Sequence, residues 1–422
     1  MNTFTTLLAL FFAMAVGMLF NRLAKKAGLP NVTGYLVGGL LIGPSLWELI
    51  PGSFDGLLPE ENLSSLGVIS TVALGFIAFS IGAEFKWSHI KHIGGKVITI
   101  TLFQGLTAVF LVDVVLVALA LFGFAGSSLP VALTLGAIAA ATAPAATLMV
   151  VRQYKAKGPV TEMLLPVVAL DDAVALIAFA VSFAIAKSLA AGEKMTFQVM
   201  VLEPLGEIFF SLLLGVALGF VLSFCLRFFH SHHNKLMLTL TFVIGGVALA
   251  EKFGLSGLLL CMAESTFLAN FSGEADKLFH LTDEWTPPLF MLFFVISGAQ
   301  LRLEIIPKIG LIGVLYIIFR SLGKYLGARW GSAVVKADPN VKKYLGVTLL
   351  PQAGVAIGLA TVVAGTPGFE AYGSQIQAVI LCGTLFYELV GPLMTKMALE
   401  KAGEIEKAPK APQEKKPAEA SK

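Results

Sequence analysis

The sequence predicts an all-α integral membrane protein of about thirteen transmembrane helices, built as an inverted repeat with two broken crossing helices. Three observations predict it. Apolar runs of bilayer length recur along almost the whole chain, lysine and arginine concentrate in alternate loops, and a short segment recurs 216 residues further on.

Of the 422 residues, 56% are hydrophobic and 14% charged. A soluble protein carries about 25% charge. One soluble core cannot use so much apolar surface, whereas a bilayer can, at about 20 apolar residues per crossing. The runs fall at roughly 4–20, 30–49, 66–84, 97–122, 129–150, 160–186, 204–226, 236–251, 255–272, 286–301, 309–330, 344–364 and 374–395. The first is followed by Asn21, Arg22, Lys25 and Lys26 and not by a small-residue cleavage site, so it reads as a retained span. Residues 1–398 form the transmembrane domain, and the Lys-, Glu-, Pro- and Ala-rich stretch 399–422 reads as a disordered cytoplasmic tail. A net charge of +3 gives no reason to expect a nucleic acid partner. Cys225, Cys261 and Cys382 are isolated in apolar surroundings, without CxxC spacing. There is no Walker loop, HExxH or GxGxxG, and no cofactor is expected.

The positive charges orient the spans. With the N-terminus outside, sixteen Lys and Arg fall in cytoplasmic loops: Arg22, Lys25, Lys26, Lys86, Lys91, Lys96, Arg152, Lys155, Lys157, Arg227, Lys235, Lys277, Arg329, Lys336, Lys342 and Lys343. Five fall outside: Lys187, Lys194, Lys252, Arg302 and Lys308. The C-terminus is then cytoplasmic.

The segment IGAEFKWSHIKHIG (81–94) aligns without a gap on SGAQLRLEIIPKIG (297–310), and the upstream FIAFS resembles FFVIS. The spans involved are the third and the tenth, which cross in opposite directions, so the repeat is inverted, a common build of secondary transporters. The same offset carries Asp172 to Glu388 and Gln104 to Arg320.

Ionisable residues within spans cost about 2.5–3.5 kcal/mol each on insertion scales and are functional suspects by default. Asp171 and Asp172 lie centrally in LLPVVALDDAVALIAFAVSF. Two adjacent carboxylates cannot both ionise cheaply in a low dielectric unless a cation stands beside them. That suits a site taking either a proton or a metal ion. Neighbours on a helix point about 100° apart, so the two have different partners. Arg320 is the deepest cation and the natural counter-charge to one aspartate. Lys324, one turn later on the same face, reads more simply as snorkelling to the interface. Pro144 in AATAPAATLMV breaks span five, and Pro351, Gly354 and Gly358 with the polar Gln352 break span twelve. Interrupted segments in corresponding places mark a midplane site. Glu388 belongs either to the pathway or to a hydrogen-bonded core, Asp113 and Glu264 read as structural, and His230, His232 and His233 read as a solvated loop. Gly34/Gly38 and Gly39/Gly43 allow close helix packing.

On these residues the chain resembles the cation:proton antiporter family, the sodium/hydrogen exchanger fold, and within it the bacterial two-aspartate branch. The resemblance covers roughly residues 5–398 and rests on GLPNVTGYLVGGLLIGPS (28–45), ALGFIAFSIGAEF (73–85), TAPAATLMV (142–150) with LDDA (170–173), and FRSLGKYLGA (319–328). It implies a core domain plus a dimerisation domain, a homodimer in the bacterial inner membrane, and an elevator-like movement. It implies that Asp172 is the principal cation and proton ligand, that Asp171 pairs with the basic residue matched by Arg320, and that Thr142 and the backbone at Ala143 line the site. Many electrogenic members have lysine at the position matched here by Arg320. Arginine does not readily release a proton, so the expectation is one-for-one exchange of H+ for Na+, with K+ or Li+ as other monovalent cations and K+/H+ exchange or cation-coupled symport as alternatives. A channel would lack the inverted repeat, and an intramembrane aspartyl protease would carry its aspartates on separate helices.

Overall fold

The computed structural model describes residues 3–48, 56–83, 85–124, 127–191, 203–229, 231–301, 303, 309–364, 366 and 369–405. The described residues are helical throughout, with no strand among them. The helices are α1 (Thr3–Lys26), α2 (Asn31–Ile42), α3 (Pro44–Glu48), α4 (Glu60–Gly82), α5 (Trp87–Leu121), α6 (Leu129–Ile138), α7 (Pro144–Gln153), α8 (Pro159–Ala191), α9 (Glu203–Cys225), α10 (His232–Phe253), α11 (Gly257–Phe271), α12 (Ala275–Trp285), α13 (Pro287–Ala299), α14 (Gly310–Val334), α15 (Pro339–Thr348), α16 (Gly354–Ala364) and α17 (Glu370–Ala402). Eight of them are long and apolar enough to cross a membrane; α2, α6, α11, α13 and α16 are shorter apolar helices.

Local chemistry sets the boundaries. Ser128, Ser231, Ser256 and Asp338 each accept a backbone N–H in the first turn of α6, α10, α11 and α15. Pro130, Pro144 and Pro339 stand where a helix start has an N–H to spare. Gly254 and Gly403 end α10 and α17 in the left-handed conformation.

Two bundles result. α1, α2, α4, α9–α11 and α13 share one apolar core, while α5–α8 and α14–α17 pack around two further cores. The second bundle is drawn tight by Gly323, Gly327 and Gly331, one turn apart on α14. A Cβ at any of them would meet α5 at Ala108, Gln104 or Ile100. Phe4, Phe11, Met18, Phe209 and Phe220 on α1 and α9 point outward, as a lipid-facing surface requires.

Polar contacts group the loops onto two faces as the charge pattern does. Lys86–Asp276, Arg152–Asp283 and Lys235–Glu274 are ion pairs of 2.7, 2.7 and 2.8 Å. Lys396 donates to Gly28 O at 2.6 Å. All join segments assigned to one face. On the other face, Ser45 accepts from Leu303 N at 2.6 Å, and Ser211 accepts from Ser256 N at 3.0 Å. Arg302, Lys194 and His230 lie outside the described residues; His232 and His233 are exposed at the start of α10.

Three expectations change. The stretch between spans nine and ten holds an amphipathic helix, α12, which buries Leu278 and sets Phe279 against Phe79, ring centroids 5.7 Å apart. The chain stays packed past 398: α17 runs to Ala402, and the Glu404 carboxylate accepts from Val160 N, Thr161 N and Thr161 Oγ1 at 2.6, 2.8 and 2.7 Å, capping α8. Residues 406–422 of the expected tail lie outside the described residues. The repeat also slips register. Leu129 and Pro339, which begin α6 and α15, are 210 residues apart, as are Pro144 and Gly354, which begin α7 and α16. Glu388 therefore is not the positional equivalent of Asp172.

Candidate functional site

The two broken spans meet. Residues 139–143 link α6 to α7, and residues 349–353 link α15 to α16. Ala143 N donates to Pro351 O at 2.8 Å, and Thr147 Oγ1 donates to Thr348 O at 3.3 Å. Each break leaves helix-end carbonyls without intrahelical donors, inside a core where water is scarce.

Arg320 answers that need. Its Nε, Nη1 and Nη2 donate to Ala139 O, Leu350 O and Ala141 O at 3.2, 2.8 and 2.6 Å. The guanidinium lies 4.3 Å from the centroid of the Tyr387 ring. Gln352 adds a bond to Ile138 O at 3.2 Å and pairs with the Tyr316 hydroxyl. Arg320 is thus a clamp across both breaks, and among the described residues it forms no ion pair with either aspartate. This corrects the expected Arg320–Asp171 pairing. The reason is geometric: a fork of five donors fits several carbonyls spread over two chain segments, and a point-like ammonium does not.

Lys324 pairs with Asp171 instead. It does not snorkel; both side chains are 0% exposed, with Nζ 2.9 Å from Oδ2. Lys324 also donates to Gln104 Oε1 at 2.6 Å, to Thr142 Oγ1 at 2.8 Å and to Ala140 O. Asp171 accepts from Gln104 Nε2 and from the Thr142 hydroxyl. The pair is therefore enclosed by neutral groups whose polarity suits Lys+ and Asp−. The glycine stripe of α14 allows this, because it presses the turn carrying Lys324 onto α5 at Gln104.

Asp172 differs. It is 5% exposed, and its buried Oδ1 has no hydrogen-bond partner among the described residues. Of the expected residues, the structure gathers Asp171 and Thr142 around Lys324, ties Ala143 to the crossing, and assigns Arg320 and Gln352 to the backbone of the breaks. Glu388 is buried but forms no ion pair among the described residues. Asp113 rests against Gly136 of α6, and both oxygens of the fully buried Glu264 lack hydrogen-bond partners among the described residues. Gln104, Tyr316 and Tyr387 went unread as site members. Gln104 alone carried a signal, as an amide at mid-span that the repeat offset pairs with Arg320.

Crossed broken helices beside buried acids and a buried lysine define a secondary transporter of the inverted-repeat kind. Its family follows from comparison with known sequences. Residues 8–401 match the model of the sodium/hydrogen exchanger transmembrane family, and the chain belongs to that family of transporters. It is 24% identical over 448 residues to the high-affinity Na+/H+ antiporter NhaS3 of Synechocystis, covering 96% of this chain and 92% of that one. A stretch of 85 residues is 31% identical to cation/H+ antiporter 19 of Arabidopsis thaliana, 20% of this chain but only 10% of the plant protein. Among solved structures, the sodium proton antiporter MjNhaP1 of Methanocaldococcus jannaschii shares the fold. Two structures of it superpose with TM-scores of 0.71 and 0.74 at 19% identity, covering 95% and 97% of this chain and 99% and 100% of theirs.

Proposed function

We propose that the protein exchanges protons for Na+ through Asp172. The observation that carries this reading is the contrast within the pair: Asp171 is neutralised by Lys324, while Oδ1 of the buried Asp172 has no hydrogen-bond partner among the described residues. A proton and a cation compete for that carboxylate. Either one covers the Asp172 charge so that the site can change sides, whereas a bare buried carboxylate is costly to move through a low dielectric. Thr142 and the backbone near Ala143 supply neutral oxygens at the crossing, and Asp171 stands by as a second carboxylate.

The partner of Asp171 alters the expected stoichiometry. One-for-one exchange rested on arginine keeping its proton. Lysine can give its proton up, so a cation that draws Asp171 away from Lys324 releases a second proton, and exchange moves net charge. Thirteen crossings, an outside N-terminus, a cytoplasmic C-terminus and a homodimer in a bacterial inner membrane complete the proposal.

Proton flux in proteoliposomes tests it, with Na+, Li+ and K+ added in turn. Na+ drives proton movement in the wild type and not in Asp172→Asn. Exchange that ignores an imposed voltage would overturn the role given to Lys324.

A further inference from the structure

Among the described residues, three polar links run from within helices of the second bundle to the first or to α12, which packs on the first through Leu278, and all lie on the face proposed to be cytoplasmic. Arg152 Nη1 meets Asp283 Oδ1 of α12 at 2.7 Å. Gln153 Oε1 accepts from Asn31 N, the first N–H of α2, at 2.7 Å. Lys396 Nζ donates to Gly28 O, just before α2, at 2.6 Å. Two of the three come from adjacent residues at the end of α7. That helix begins at Pro144, beside Thr142 and Ala143, and its ten residues span about 15 Å. It is a short rod with one end at the crossing and the other on the opposite bundle.

A cavity of about 290 Å³ lies on the same face, lined by Phe79 and Ser80 of α4, Lys86, Phe279, Asp283 and Arg152. Arg152 is the residue in that lining contributed by α7. Behind it runs the seam between α4 and α7, where Ala145, Ala146 and Leu148 pack into the core of the first bundle. Exchange forbids both faces from being open at once. Opening this face along the seam requires the end of α7 to leave α12 and α2.

We infer that Arg152 and Gln153 form a latch that holds the cytoplasmic side of the seam shut and must release once in each cycle. The sequence hides it, because Arg152 reads only as a loop charge and α12 as a loop. Its links suit repeated opening: the Arg152–Asp283 pair is partly exposed, at 27% and 48%, and such pairs are weak. The latch rests on the proposed exchange reading, and its test separates the two.

Asp283→Asn and Arg152→Gln free the latch, and the charge swap R152D/D283R rebuilds it. Loss of the latch raises the fraction open on this face. Since apparent affinity scales with the competent fraction, KM for Na+ falls about threefold on the cytoplasmic side and rises on the other, and the swap restores both. A structural defect would move both sides together, and that result, or no change, overturns the latch. A second measurement needs no transport. Ser80→Cys, lining the cavity, reacts faster with an impermeant maleimide from the cytoplasmic side when Arg152→Gln is added, the parent chain with its own cysteines serving as control. Equal labelling overturns the latch even if exchange is intact. If the wild type exchanges no Na+ while labelling still accelerates, the exchange reading fails and the latch stands.

Discussion

Asp172 and Glu264 are both carboxylates deep in apolar bundles, and each has at least one oxygen without a hydrogen-bond partner among the described residues. Their settings differ. Glu264 sits on an unbroken helix, packed against Gly219 of α9 and Gly246 of α10, with no ion pair to any described lysine or arginine. Asp172 neighbours a buried ion pair and two broken helices whose backbone groups are held in place by Arg320. Burial without a partner is therefore common to both acids. What distinguishes Asp172 is polar backbone at the same depth and a second carboxylate that is already neutralised.

Substitutions can break or sharpen that contrast. The largest effect belongs to Asp172→Asn, which removes the charge proposed to trade a proton for a cation; Na+-driven proton flux falls to the level of empty liposomes. Lys324→Met comes next. It leaves Asp171 buried without a counter-charge, which costs about 3–5 kcal/mol, seen as a lower thermal midpoint in detergent together with lost voltage response. Arg320→Lys keeps the charge but cannot span three carbonyls; stability falls by about 1–3 kcal/mol as buried acceptors lose donors, with exchange reduced and not abolished. Glu264→Gln is the counterpart to Asp172→Asn and leaves flux close to wild type. A large loss there would erase the distinction between the two acids.

The smallest effect lies at the membrane edge. Hydrogen bonds from Lys235 and Lys277 hold the Glu274 carboxyl below the usual carboxylate range. A depressed acid contributes its stability above its ordinary range and loses it as pH falls through the lowered value. Strong acid should therefore loosen α12 slightly, and hydrogen exchange in α12 would register it; Glu274→Gln removes that dependence.

The reading of the chain succeeded where one local property decides. Spans were legible because a bilayer demands long apolar runs, and the break at Pro144 because proline lacks an N–H. It failed where partners come from far away. Arg320 and Lys324 sit one turn apart on one face of α14, so either fitted Asp171. Helix α12 is too short and polar to register as a span, and Glu404 looked like part of a tail.

The sequence by itself determined the membrane class, the inverted arrangement, the broken spans and the adjacent aspartates, since each follows from composition, from groups close in the chain or from a segment that recurs. Only the tertiary structure decided that Lys324 faces Asp171 while Arg320 binds the backbone. That choice depends on how closely α14 approaches α5 along its glycines, and on where two sets of freed carbonyls meet. Both are distances between segments remote in sequence, which no local pattern records.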